Sequence, residues 1–188
     1  MPPVVVLFNK PFGVLCQFSG DRGPTLKDYV DVAGVYPAGR LDADSEGLVV
    51  LTDHGPLQHR ISHPTRHWAK VYWAQIEGVP AESALQPLHK GVALGDFISQ
   101  PAGARLIAEP PDLWDRVPPI RVRKHLPTCW LEMTLHEGKN RQVRRMTAAI
   151  GHPTLRLIRY SVGDWNLDGL APSQYRLLSA AEIAAVKS

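Results

Sequence analysis

The chain opens on an unbroken apolar run, VVVLF at residues 4–8, which predicts a buried strand. Lys10-Pro11-Phe12-Gly13 interrupts it before a second apolar run at 14–18, and the two read as a hairpin. Thr25 can cap a short helix that shows Leu26, Tyr29 and Val30 on one side, and Pro37 with Gly39 excludes helix just before Arg40-Leu41-Asp42, so Asp42 is expected on a loop. Residues 48–52 read as a buried strand, and 57–61 as a helix that Pro64 stops. Residues 68–76 are rich in β-branched and aromatic side chains and read as a further strand. A helix follows Pro80 and ends near Gly91, whereas six prolines between Asp96 and Pro127 leave that stretch to loop and edge strand.

The period changes twice in the last third. Leu131, Met133 and Leu135 alternate with Trp130, Glu132 and Thr134, as in a strand with one buried face. Asn140 is a good N-cap for a helix whose apolar stripe is Val143, Met146, Ala149 and Ile150 and which ends at Gly151. Its other face carries Arg141, Arg144, Arg145 and Ala148. Residues 155–162 return to strand, and a short helix is expected from Ala180. The pattern predicts an α+β domain dominated by antiparallel strands, one domain over residues 1–188.

At 188 residues and 44% hydrophobic content the chain can bury a sizeable core. No apolar run approaches the roughly 20 residues of a membrane span, and the first residues lack a basic leader. Cys16 and Cys129 lack the spacing of a zinc or redox site, so a soluble protein of the reducing cytoplasm is expected. The net charge of +3 is unevenly spread. Residues 1–115 hold 9 Lys/Arg against 13 Asp/Glu, 116–159 hold 10 against 2, and 160–188 hold 2 against 3. Because the basic stretch is interleaved with Trp130, Met133, Val143, Met146 and Leu157, it must be folded, and a folded basic face suits a polyanion such as RNA better than a solvated arm.

Several motifs invite other chemistry and fail on detail. Asp42, Asp44, Glu46 and Gly47 fall at positions 1, 3, 5 and 6 of a calcium-binding loop, but position 12 is the short Asp53 and strand follows where a helix is required. Asp42-x-Asp44 also lacks the apolar parallel strand that would carry an aspartyl nucleophile in a magnesium phosphotransferase. His59, His63 and His67 are four apart, yet Pro64 prevents one helix from presenting all three to a metal. No metal or cofactor is expected.

Two segments are poorly explained as a plain turn and a solvated helix face: Gly39-Arg40-Leu41-Asp42 with Asp44, and Glu137-Gly138-Lys139-Asn140-Arg141-Gln142-Val143-Arg144-Arg145-Met146. In this order, with Lys70-Val71-Tyr72 between them, they resemble the RsuA/RluB/RluE/RluF family of ribosomal RNA pseudouridine synthases. The likeness runs from Leu7-Phe8-Asn9-Lys10-Pro11 through Leu51-Thr52-Asp53-His54-Gly55 to Thr154-Leu155-Arg156-Leu157-Ile158-Arg159-Tyr160. Asp44-Ser45-Glu46-Gly47 and the proline-rich stretch 114–127 are similar to the RluE branch, and by that resemblance no preceding RNA-binding (S4) module is expected. Ser45-Glu46 departs from the Thr or Ser with another polar residue common elsewhere in the family.

The resemblance implies a catalytic domain of two sub-lobes around an RNA-binding cleft, which turns one uridine of ribosomal RNA, by expectation 23S, into its C-glycoside isomer as a monomer and without a cofactor. It makes Asp42 the catalytic carboxylate and Arg144 its ionic partner, since a neighbouring cation favours the charged form of a carboxylate. It gives Tyr72 the stacking contact with uracil and Arg40 a part in flipping the nucleotide out of its helix. Lys139, Arg141 and Arg145 are expected on backbone phosphates, and Leu167 or Leu170 closes the base pocket. The competing reading is a non-catalytic RNA-binding or ribosome-assembly protein with the same basic face. Asp42 weighs against it, because an acidic group among Arg40 and Arg144 would only weaken phosphate binding.

Overall fold

An unbroken apolar run must be covered on both faces to be stable. In the computed structural model, which describes residues 3–63, 68–121, 123 and 125–185, the strands β1 (Val5–Lys10) and β3 (Glu46–Thr52) are buried at every position. Between them lies β2 (Tyr36–Pro37). The helix α1 (Gly55–Ser62), β4 (Lys70–Glu77), α2 (Gln86–Lys90), β5 (Gly103–Ile107) and β6 (Thr128–Leu135) follow. The chain continues through α3 (Gln142–Ala149), β7 (Thr154–Val162), β8 (Trp165–Asn166), β9 (Tyr175–Leu177) and α4 (Ala180–Ala184). The strands predominate and the described pairings of named strands are antiparallel, as expected of an α+β fold. Among the described residues no helix is long and apolar enough to cross a membrane.

The chain divides into two compact units, residues 1–68 with 160–188, and residues 69–159. In the first, β1 lies between β3 and β9, with Asn9 opposite Leu48 and Lys10 opposite Gly47. This corrects the expected hairpin. With both edges of β1 taken, the run 14–18 has nothing to pair with there and forms only an isolated bridge from Leu15 to Thr25. Residues 14–41 instead lay Cys16, Leu26, Val30, Val35 and Leu41 over the face of the sheet that shows Val6, Phe8, Val49 and Leu51. The helix at Thr25 is a single 3-10 turn, Leu26–Asp28, with the Asp28 carboxylate accepting from the Thr25 backbone N–H at 2.7 Å. Helix α1 ends at Ser62, with His63 extended; the stop expected at Pro64 and the third histidine, His67, lie outside the described residues.

In the second unit β6 pairs with β4 over eight residues, from Lys70 opposite Leu135 to Glu77 opposite Thr128, and with β5 on its other side. Each strand is buried on one face only, which is why both sequences alternate. Trp130 is the exception, buried on the side expected to be open, with its indole N–H directed at Glu109. Tyr72, Ala74, Ile76, Leu131, Met133 and Leu135 pack with Leu85 and Leu88 and with Val143 and Met146 of α3. Eight residues are too few for an isolated helix to be stable in water, so this packing is what holds α3. Its buried stripe is Gln142, Val143, Met146 and Thr147, and Ala149, expected inside, is exposed.

Candidate functional site

Asn9 and Lys10 end β1, and because strand side chains alternate they leave on opposite faces. Both are fully buried. The Lys10 ammonium donates to the carbonyls of Pro11 at 3.0 Å, Val14 at 2.9 Å and Ala43 at 3.4 Å, and the Gly13 N–H donates to the same Ala43 carbonyl at 2.7 Å. The loop carrying Asp42 is thereby fastened from beneath. Ser45 N–H donates to the Asp42 carbonyl at 3.1 Å, which closes the turn, and β3 begins at the next residue. On the other flank Gly39 turns the chain at φ +88°, a conformation L side chains rarely adopt. Leu41 plugs into the core with Val6 and Phe8, which leaves Arg40 exposed and Asp42 half-buried on either side of it.

Asn9 holds the other loop of this unit. Its Nδ2 donates to the Leu170 carbonyl at 2.9 Å, and its main chain accepts from Ser173 and donates to Gln174. Leu170 N–H donates to Leu167, and both leucines are buried. Two adjacent polar residues thus fix the Asp42 loop and the Leu167 to Leu170 turn, each within the first unit.

The second unit carries Tyr72, Arg144 and the other cations. Tyr72 lies opposite Met133, its side chain in the core cluster with Val143 and Met146. Lys70 shares its face of β4 two residues earlier. Burial, and then the charge of Arg159, lower the Lys70 ammonium from 10.5 to about 8. The folded chain therefore releases this proton near pH 8 while the unfolded chain keeps it to about 10.4, so the site's contribution is constant below pH 8 and grows more favourable above it. In urea unfolding between pH 7 and 9.5 the wild type should gain about 1 kcal/mol more than Lys70→Met, allowing for solvent screening. Parallel profiles would rule out this depression.

The turn before α3 is built on buried polar groups. Glu137 accepts from the Gln100 N–H at 2.8 Å and from the Gln142 side-chain amide, whose oxygen accepts from the Lys139 N–H at 3.0 Å. The N-cap is Arg141, left-handed at φ +49°, and not Asn140: the Gln142 side chain already serves the turn that an Asn140 cap would organise. Arg141 is exposed. Arg144, half-buried, donates to the Thr154 carbonyl at 3.5 Å at the start of β7. Arg145 is engaged within the protein, paired with Asp96, donating to the Leu94 carbonyl and lying 5.0 Å from the centre of the Phe97 ring. Lys139 stands 5.6 Å from the same ring.

Asn9, Lys10, Glu137 and Gln142 were visible in the sequence only as motif letters. Their signal is a polar residue at a position the apolar period assigns to the core. Among the described residues no three His, Cys, Asp or Glu side chains gather into a group that could hold a metal ion. The rings of His59 and His63 lie 4.6 Å apart.

Comparison with known proteins bears on the same segments. A family model described as RNA pseudouridylate synthase matches residues 4–149, which include Asn9, Lys10, Asp42, Tyr72 and Arg144. The chain is 55% identical over 172 residues to ribosomal large subunit pseudouridine synthase E of Xanthomonas axonopodis pv. citri, covering 90% of each chain. It is 51% identical over 183 residues to the protein of that name from Xanthomonas campestris pv. campestris, covering 96% of this chain and 98% of the relative. A crystal structure of a pseudouridylate synthase superposes with a TM-score of 0.78 at 30% identity, covering 98% of this chain and 74% of that one. With the family match running over residues 4–149 and a relative 55% identical over 90% of the chain, the chain belongs to the RNA pseudouridylate synthase family.

Proposed function

We propose that the protein isomerises a specific uridine of ribosomal RNA, in the large subunit's 23S RNA, to pseudouridine, in the cytoplasm, with Asp42 as the catalytic carboxylate. The N1–C1′ bond breaks, the uracil turns within the pocket, C5 joins C1′, and the C5 proton leaves as N1 gains one, so that atoms and electrons balance with no co-reactant. Tyr72 takes the stacking role and Arg144 that of the catalytic cation. Leu167 and Leu170 limit the space in which the base turns. Arg40, exposed beside Asp42, is suited to support a flipped nucleotide, and Lys139 and Arg141 to hold phosphates.

The observation that carries this reading is the Asp42 loop: a half-buried aspartate on a turn whose Ala43 carbonyl is held by the Gly13 N–H at 2.7 Å and by the fully buried Lys10 at 3.4 Å. A carboxylate held in place in this way has a use in chemistry, whereas in holding phosphates its charge only repels, which favours an enzyme over a silent RNA-binding protein. Mapping of pseudouridines in ribosomal RNA from cells with and without the gene tests it. One site of 23S RNA should lose its pseudouridine and regain it when purified protein is added to the unmodified transcript. Unchanged maps, with RNA binding intact, would leave the non-catalytic reading.

A further inference from the structure

The hairpin of β7 and β8 and the turn that follows it carry a polar network that the catalytic reading does not use. Ser161 pairs with Asn166 and Val162 with Trp165, which sets Tyr160 and Asn166 at the same open end of the hairpin. The closed end is packed within the first unit. Trp165 is buried with its ring 5.5 Å from that of Trp68, and a Cβ on Gly163 would stand 2.8 Å from the Trp68 ring.

Asp168 is where the side chains at the open end converge. Its Oδ1 accepts from the Tyr160 phenol at 2.8 Å and its Oδ2 from the Asn166 amide at 3.0 Å, while its N–H donates to the Asn166 side-chain oxygen at 3.0 Å. The last of these is an Asx turn, and with Gly169 left-handed at φ +71° it brings Leu170 N–H to the Leu167 carbonyl at 2.9 Å. Asn9 holds the far side of the turn through the Leu170 carbonyl. The turn is thus gripped at residue 168 from β7 and β8 and at residue 170 from β1. Leu167 and Leu170 are buried, whereas Asp168 and Gly169 are exposed. The Asp168 bonds are open to water, which competes for the same groups, so they add little to global stability. Their effect is local: they hold a short turn in one conformation and the two leucines with it, as the supporting groups of a functional site do.

We propose that Asp168 is a positioning residue, the clamp by which Tyr160 and Asn166 hold Leu167 and Leu170 in place while the freed uracil turns. The proposal deepens, and rests on, the reading of those leucines as the limit of the space around the base. The clamp acts through geometry and not through charge, because what it supplies is two acceptors at fixed points.

The test compares Asp168→Ala, Asp168→Asn and Tyr160→Phe, each in the full chain, for single-turnover pseudouridine formation at saturating 23S transcript and for RNA affinity. Asp168→Asn can keep both bonds, its oxygen accepting from Asn166 and its amide donating to the Tyr160 oxygen, whereas Asp168→Ala keeps neither. Asp168→Ala should react about ten-fold more slowly, short of the roughly 10²-fold of a 1 Å misplacement because Asn9 still holds Leu170. Tyr160→Phe, which loses one bond and keeps the ring, should slow by a smaller factor, and Asp168→Asn should stay close to the wild-type rate. Affinity and melting should hardly move in any of the three, and hydrogen exchange at Leu170 N–H should quicken in Asp168→Ala and not in Asp168→Asn. A wild-type rate in Asp168→Ala, even with faster exchange, would overturn the proposal, because the turn would then be held for the fold alone. A loss in Asp168→Asn as deep as in Asp168→Ala would overturn it in favour of charge, and a loss of affinity matching the loss of rate would overturn it in favour of direct RNA contact. If the wild type forms no pseudouridine, the catalytic reading falls and the clamp with it. If the wild type is active and Asp168→Ala is unimpaired, the clamp alone falls.

Discussion

Asp42→Asn is expected to yield no detectable pseudouridine while RNA affinity and thermal melting stay close to wild type. Asn keeps the size of Asp and most of its hydrogen-bonding capacity, so the turn closed by Ser45 N–H on the residue 42 carbonyl, a main-chain bond, survives the change. What is lost is the negative charge and the nucleophilic oxygen. Proton transfer alone is commonly worth about 10²–10⁴ in rate, and a group that also forms or stabilises the intermediate is worth more, so single-turnover product should fall below detection. Asp44→Asn is the matched control, removing the same charge two residues along and keeping substantial activity. RNA should bind Asp42→Asn as well as before or slightly better, because a carboxylate repels phosphate. Near wild-type turnover by Asp42→Asn, or a dead Asp44→Asn, would displace Asp42 from the catalytic role.

Local patterns were legible in the chain where the cause is local. The unbroken runs of β1 and β3 report strands covered on both faces, and the alternation in β4 and β6 reports one covered face, because burial acts on each residue through its own side chain. Pro37 and Gly39 likewise mark the Asp42 loop from its own neighbourhood. Partnership was less legible, since it depends on residues far along the chain. The run 14–18 looks like a strand, and only the arrival of Tyr175–Leu177 at the free edge of β1 denies it a place. Arg145 reads as a free cation until Asp96, 49 residues earlier, is brought against it. The cap of α3 misleads for a different reason: Asn140 has the right chemistry, but a buried Gln142 tied to Glu137 already orders the turn, and Arg141 takes up the left-handed position.

Lys10→Met tests whether the loop beneath Asp42 matters as a support. Methionine matches the length and apolar stem of lysine and suits a fully buried position, but it cannot donate to the Pro11, Val14 and Ala43 carbonyls. Leaving buried acceptors without a donor costs about 1–3 kcal/mol, part of it offset because no ammonium has to be kept from water, so the protein should remain folded at 25 °C. The Ala43 carbonyl keeps its bond from Gly13 N–H, so the loop loosens without coming free. A shift of about 1 Å in a reacting group can cost about 10²-fold in rate, and a loss of that order in kcat is expected, with RNA affinity nearly unchanged because Lys10 is wholly inside. Lys10→Arg, too bulky for the site, should not rescue it. The diagnostic result is a fall in single-turnover rate at saturating RNA that exceeds any change in Kd. A variant that folds and turns over at the wild-type rate would show that the Gly13 bond alone suffices to hold Asp42, and a fall in affinity matching the fall in rate would mean that Lys10 supports the RNA surface in place of the catalytic loop.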